Sequence, residues 1–249
     1  MISGTVRKQS PNMYFSIYLF LMLDLFFPSF NIIRQSIAVA IFAYSIRYIN
    51  ENKPYLFLLF CLFAFMFHTS ALVLPLLYLL KYIKINRTST IILLIISFVI
   101  PLAGLDKYFL SLLFNENTLN VYSQYVEFEG NSSLNEMGLF MSMFLLIIQS
   151  LIFIYCYLKL NNSKNIYMIL WFIGLLFQNI TMYYPWLFRI GGYFLISQII
   201  AMPLVISSVD LNAQQKKTSY SIIIGYSIIL YSIRVFINAD GIVPYVTLF

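Results

Sequence analysis

Between Lys53 and Lys81 the sequence carries no Asp, Glu, Lys or Arg: P-Y-L-F-L-L-F-C-L-F-A-F-M-F-H-T-S-A-L-V-L-P-L-L-Y-L-L. An uncharged run of that length exceeds the ~20 residues one membrane-crossing helix needs. It lacks the polar face that a soluble amphipathic helix shows at a 3.6-residue period. Similar apolar blocks recur at about 13–27, 31–49, 90–105, 137–158, 166–181, 187–207 and 219–237. The fold expected is all-α, a polytopic helical membrane protein forming a single integral membrane domain over 1–249. It would have about eight or nine transmembrane segments, including one broken, re-entrant pair. A β-barrel would need strict alternation over ~10-residue segments, and the sequence has none.

Composition agrees: 10% of residues are charged, against roughly 25% in soluble domains. The net charge of +6 is no nucleic-acid signal, because the bases stand singly or in pairs between apolar blocks. No nucleic-acid partner is expected, and the bilayer is the natural surrounding. Cys61 and Cys156 lie inside apolar segments and read as buried hydrophobes, and no cluster suited to a metal or cofactor is visible. The first dozen residues are polar and lack the apolar core of a signal peptide.

Basic residues flank the apolar blocks at Arg7 and Lys8, at Lys81, Lys84 and Arg87, at Lys159 and Lys164, and at Lys216 and Lys217. By the positive-inside rule these turns are cytoplasmic. The stretch 106–136 carries Asp106, Glu116, Glu127, Glu129 and Glu136 against Lys107 alone, and is expected to be an acidic external loop. Arg47 and Lys53 also look cytoplasmic, which conflicts with a single crossing over 54–82. The conflict disappears if that block turns back on itself at its only polar run, His68, Thr69 and Ser70. A helical break is therefore expected within 67–71, below the outer surface. One long tilted helix is the alternative.

This topology brings three unusual polar groups to one outer layer: Arg34 with its neighbour Gln35, His68 beside Ser70, and Arg189 with Tyr193 one turn further on. An arginine there can snorkel to headgroups, or its planar fork can grip phosphate oxygens. A lone histidine is often a hydrogen-bonded packing residue, yet an imidazole at a break can also take a proton near neutral pH. Tyr183, Tyr184 and Trp186 read as an aromatic belt or as stacking surfaces for sugars. Asp24 is expected to pair with Arg34 or with solvent, and Arg234 to snorkel.

The motifs N-I-I-R-Q-S-I-A at 31–38 and F-M-F-H-T-S-A-L at 65–72 resemble the EpsG family of bacterial membrane proteins. F-R-I-G-G-Y-F at 188–194 and D-G-I-V-P-Y at 240–245 fit the same pattern. That resemblance implies a Wzy-like polymerase of capsule, exopolysaccharide or O-antigen. It would join oligosaccharide repeat units carried on undecaprenyl diphosphate at the outer face of the bacterial cytoplasmic membrane, with other assembly proteins as possible partners. Relatives of that pattern carry further segments ahead of the R-Q motif, so this chain would lack N-terminal ones. The sequence shows no metal cluster and no D-x-D-like acidic pair in its loops, so metal-independent glycosyl transfer with no cofactor is expected. His68 would be catalytic, and Arg34, Gln35, Ser70, Arg189 and Tyr193 would bind substrate. A lipid-linked glycan flippase or transporter, or a non-catalytic membrane component, is the alternative.

Overall fold

The computed structural model describes residues 1–106, 108, 136–160, 164–208 and 211–236, with the backbone alone at 136–139, 185, 186, 188 and 189. The described residues form helices: α1 (Ile2–Gln9), α2 (Met13–Met22), α3 (Pro28–Asn31), α4 (Ile33–Asn50), α5 (Pro54–Phe67), a 3-10 helix (Thr69–Tyr82), α6 (Arg87–Leu102), α7 (Glu136–Leu160), α8 (Ile166–Ile180), α9 (Pro185–Leu195), α10 (Gln198–Ile206) and α11 (Ala213–Phe236). Phe140–Leu160 and Ala213–Phe236 are long and apolar enough to cross a bilayer alone. The shorter apolar helices pack beside them.

Exposure shows what surrounds the bundle. Leu59, Leu62, Met66, Leu72, Leu76 and Ile95 stand open on α5, the 3-10 helix and α6. A water-soluble monomer rarely leaves contiguous apolar surface beyond a few hundred Å². Lipid is the solvent that makes such a face favourable, so the chain is a helical membrane protein.

The 54–82 block is broken as its charge conflict requires. His68 adopts φ −152° and ψ 126°, extended backbone between two helices. The chain then returns along its own path. Tyr78 packs its ring against Phe57 at 5.7 Å, and Lys81 donates to Asn52 at 3.3 Å, so both ends of the block lie together.

The returning arm is wound as a 3-10 helix of 14 residues, far longer than the usual three or four. Its burial explains the winding. Ala71, Leu74, Leu77 and Leu80 are the buried positions, a strict period of three that stacks on one ridge of a 3-10 helix but would spiral around an α-helix. Pro75 helps, since it lacks the N–H that an α-helix would bond to the Ala71 carbonyl. At ~2.0 Å per residue the arm covers ~28 Å, enough to run back along the shorter α5.

Asparagines begin the helices that leave the basic end. Asn12 accepts from the Phe15 amide, Asn86 from Thr88 and Ser89, Asn165 from Tyr167 and Met168, and Asn212 from Gln215. Each satisfies amides that a helix start leaves unbonded. Long side chains tie this end together. Gln9 donates to the carbonyls of Ala43 and Tyr44 and accepts from Tyr167, while Tyr157 donates to the Ile85 carbonyl at 2.6 Å. The polar N-terminal residues thus form α1, with Thr5 and Val6 fully buried. Most of 106–136, and the ending 240–245, lie outside the described residues.

Candidate functional site

The end opposite the lysines holds the site. α4 and α5 form an antiparallel hairpin. From Asn50 back to Arg34 is ~24 Å, and from Pro54 to Phe67 ~20 Å, at 1.5 Å per residue. Arg34 and His68 therefore stand within about a turn of the same level. Ile37 and Phe67, which line one shallow groove, confirm that register.

At the break, His68 caps the 3-10 helix. Its Nδ1 lies 2.6 Å from the Ser70 hydroxyl and accepts from the Ser70 amide at 3.3 Å. The Ser70 hydroxyl in turn meets the Tyr193 hydroxyl at 3.1 Å. Tyr193 comes from α9 and is fully buried, its ring edge-on to Phe42 of α4 at 6.2 Å. Three residues from two distant segments thus make one hydrogen-bonded row: imidazole, serine, phenol.

Two proton arrangements fit this row. With the proton on Nε2, Nδ1 accepts from both the amide and the hydroxyl of Ser70. With the proton on Nδ1, the imidazole donates to Ser70, Ser70 donates to Tyr193 and Nε2 carries the lone pair, at the cost of the long 3.3 Å bond from the Ser70 amide to Nδ1. A general base requires the second arrangement.

Close approach of α8 and α9 sets Tyr193 in place. A Cβ on Gly174 would meet the Phe194 Cβ at 2.9 Å, and one on Gly191 would meet Gln178 at 3.3 Å, whereas Gly192 has open space. Of the adjacent pair Gly191 and Gly192 only Gly191 is crowded, and Gly174 is the tighter position. At Ile196 and Ser197 the path onward turns with helical dihedrals, a kink unlike the extended break at His68.

The remaining expected site residues fall as follows. Arg34 is exposed, and among the described residues no hydrogen bond or ion pair holds it. Gln35, 100° around the helix, is buried at 2% exposure. Arg189 lies in α9 one turn before Tyr193, and its side chain is outside the described residues.

Two expectations need correction. Asp24 does not pair with Arg34. It forms an ion pair with Arg234 of α11 at 3.0 Å, and Arg234 is thereby fixed to the protein. Asp24 sits at φ 57° in the turn after α2, a left-handed conformation that aspartate tolerates better than most residues. The pair frees Arg34 from any structural duty to Asp24. Asp24→Ala should therefore lower the melting temperature in detergent, by about 1–2 kcal/mol of stability, less than for a buried pair because Arg234 is partly exposed. Arg34→Ala should leave it unchanged. Equal loss in both variants would show that Arg34 is structural.

Two polar features at this end were missed in the sequence. Asp106 is buried at 2% exposure and receives the Tyr184 hydroxyl. Burial first, and this carboxylate second, push that hydroxyl up to about 12. Deeper in the bundle, Asn179 donates to Ser97 at 3.0 Å and to Ser150 at 3.5 Å, joining α8 to α6 and α7. Nothing in the local sequence marks that cluster beyond small hydroxyls in apolar runs.

A helical membrane bundle with a re-entrant hairpin, an exposed arginine and a histidine row at the break is the class these observations define. The EpsG family model matches residues 2–247, and the chain belongs to the EpsG family, among membrane proteins of polysaccharide biosynthesis. No curated protein and no solved structure matches it.

Proposed function

We propose that the chain is a glycosyl-transferring polymerase. It joins oligosaccharide repeat units held on undecaprenyl diphosphate at the outer face of the bacterial cytoplasmic membrane. The observation that carries this reading is the pairing, at one level, of an exposed arginine with no partner among the described residues and a histidine held by Ser70, which is held in turn by Tyr193. Family membership supports it.

The chemistry needs two things. An acceptor sugar hydroxyl attacks the anomeric carbon of the donor. The bond from that carbon to the diphosphate oxygen breaks, and the diphosphate leaves with the electron pair. His68 takes the hydroxyl proton at Nε2, since Nδ1 is held by Ser70. Arg34 receives the charge that grows on the diphosphate, where a fixed fork of donors acts most strongly. Ser70 and Tyr193 are positioning residues that keep the imidazole in its donor-to-serine tautomer. Gln35 and Arg189 are kept as substrate-binding residues, through the shape of the α4 and α9 ends. The lysines at the opposite end support an outward-facing site.

Deleting the gene tests the reading against a flippase. A polymerase deletion should leave single repeat units at the cell surface and remove the longer ladder. Loss of all surface glycan would favour transport instead, and an unchanged ladder would exclude both.

A further inference from the structure

The end opposite the His68 row has a pocket of its own. A cavity of about 450 Å³ opens between the α4–α5 turn, the end of the 3-10 helix and the start of α8, lined by Ile49, Asn50, Asn52, Lys81, Tyr82, Lys164 and Ile166. Its lining combines two ammonium groups, side-chain amides, a phenol and two isoleucines, with no carboxylate. Glu51, between Asn50 and Asn52 in the sequence, is tied to Lys53 at 2.7 Å and does not line it.

The donors are pre-set. Lys81 Nζ donates to Asn52 at 3.3 Å and to Tyr78 at 3.0 Å, and lies 4.2 Å and 4.8 Å from the Tyr78 and Tyr82 ring centroids. Asn52 and Tyr78 use two of its three N–H groups, and the third reaches toward the hydroxyl of Tyr82, which lines the cavity. The ammonium is thus held at the cavity wall, its charge uncompensated by any carboxylate of the lining. Asn52 is locked at φ 55° with its Oδ1 given to Lys81, which leaves the amide NH₂ as its outward group. The N-terminus of α8, a 15-residue helix, adds positive potential where Ile166 meets the cavity. Ile49 and Ile166 supply an apolar floor. Lysines scattered along a membrane boundary need only set orientation. These are gathered in one cavity, beside the outward amide of Asn52 and the positive end of α8, whose amides at Tyr167 and Met168 are capped by Asn165.

We propose that this pocket binds a phosphate ester, either the headgroup of an anionic phospholipid in the adjoining leaflet or a soluble phosphate. Charge-assisted donors recognise the phosphate, and the isoleucine floor receives the carbon skeleton beside it. The site is independent of the His68 row and of the reaction proposed there.

The test is native mass spectrometry of the detergent-purified chain with phosphatidylglycerol, then with phosphatidylcholine. The wild type should keep one phosphatidylglycerol and no phosphatidylcholine. The Lys81→Gln, Lys164→Gln double variant should bind phosphatidylglycerol at least about tenfold more weakly. Lys216→Gln with Lys217→Gln removes the same charge elsewhere and should leave binding intact. Displacement of the bound lipid by inorganic phosphate assigns the site to soluble esters; resistance to it assigns the site to lipid. Equal weakening in both double variants would overturn the proposal in favour of diffuse attraction. If the first double variant melts early, Asn52→Asp replaces it. That change keeps the left-handed turn and the oxygen for Lys81 while putting a carboxylate at the cavity. Undiminished phosphatidylglycerol binding by Asn52→Asp would equally overturn the site.

Discussion

Arg34→Lys should leave the protein at its normal level in the membrane and collapse the surface glycan ladder, with polymerisation falling by about 10²-fold, as when one fixed donor to a transition-state anion is lost. Snorkelling needs only a long side chain with a positive end, and lysine supplies both. Gripping a diphosphate needs the planar fork, which lysine lacks. Arg34 is suited to this comparison because no ion pair or hydrogen bond among the described residues ties it to the bundle, and Asp24, the acid expected to pair with it, is taken by Arg234. Arg34→Ala should therefore be no worse folded than Arg34→Lys, and no less defective. A wild-type ladder in the lysine variant would return Arg34 to the role of a membrane anchor.

His68→Gln should cost more, about 10²- to 10⁴-fold, the range for removing a general base. Glutamine can still hydrogen-bond Ser70 at the break, so the hairpin is expected to survive. It cannot take a proton. Tyr193→Phe keeps the buried ring against Phe42 and removes only the hydroxyl at 3.1 Å from Ser70. It should lower turnover by about tenfold, the scale of one hydrogen bond holding a catalytic group. Its signature is a shift in the pH profile of turnover, because the phenol biases the imidazole tautomer. A His68→Gln chain with full activity would make the row a structural cap. A Tyr193→Phe chain that loses thermal stability but keeps its pH profile would give the phenol a packing role only.

The break at His68 was legible in the sequence because two independent signals met there. The lysines on both sides of 54–82 demanded a return, and His68, Thr69 and Ser70 were the only polar residues that could host it. The winding of the return was also written in the chain, as Ala71, Leu74, Leu77 and Leu80 at intervals of three. It went unread because 3-10 helices of such length are rare. The helical fold of residues 2–9 was hidden by their polarity. They are held against other helices by Gln9 and by the buried Thr5 and Val6, with Arg7 and Lys8 left exposed, instead of by a continuous apolar stripe. Ser70 and Tyr193 were each marked as site residues, but their hydrogen bond spans 123 positions and depends on how α9 docks against α4. Asp24 and Arg234 lie at opposite ends of the sequence for the same reason. Local pattern fixes an element and its ends. Partners across a bundle are chosen by packing, such as the close approach at Gly174, and no local pattern records it.

The most direct measurement is polymerisation by the purified chain in vesicles supplied with undecaprenyl diphosphate-linked repeat units, read as product length on a gel. The wild type should build a ladder and release undecaprenyl diphosphate with each added unit, while Arg34→Lys and His68→Gln, folded to the same melting temperature, should leave the units single. A ladder of wild-type length from both variants would contradict the placement of the reaction at the His68 break.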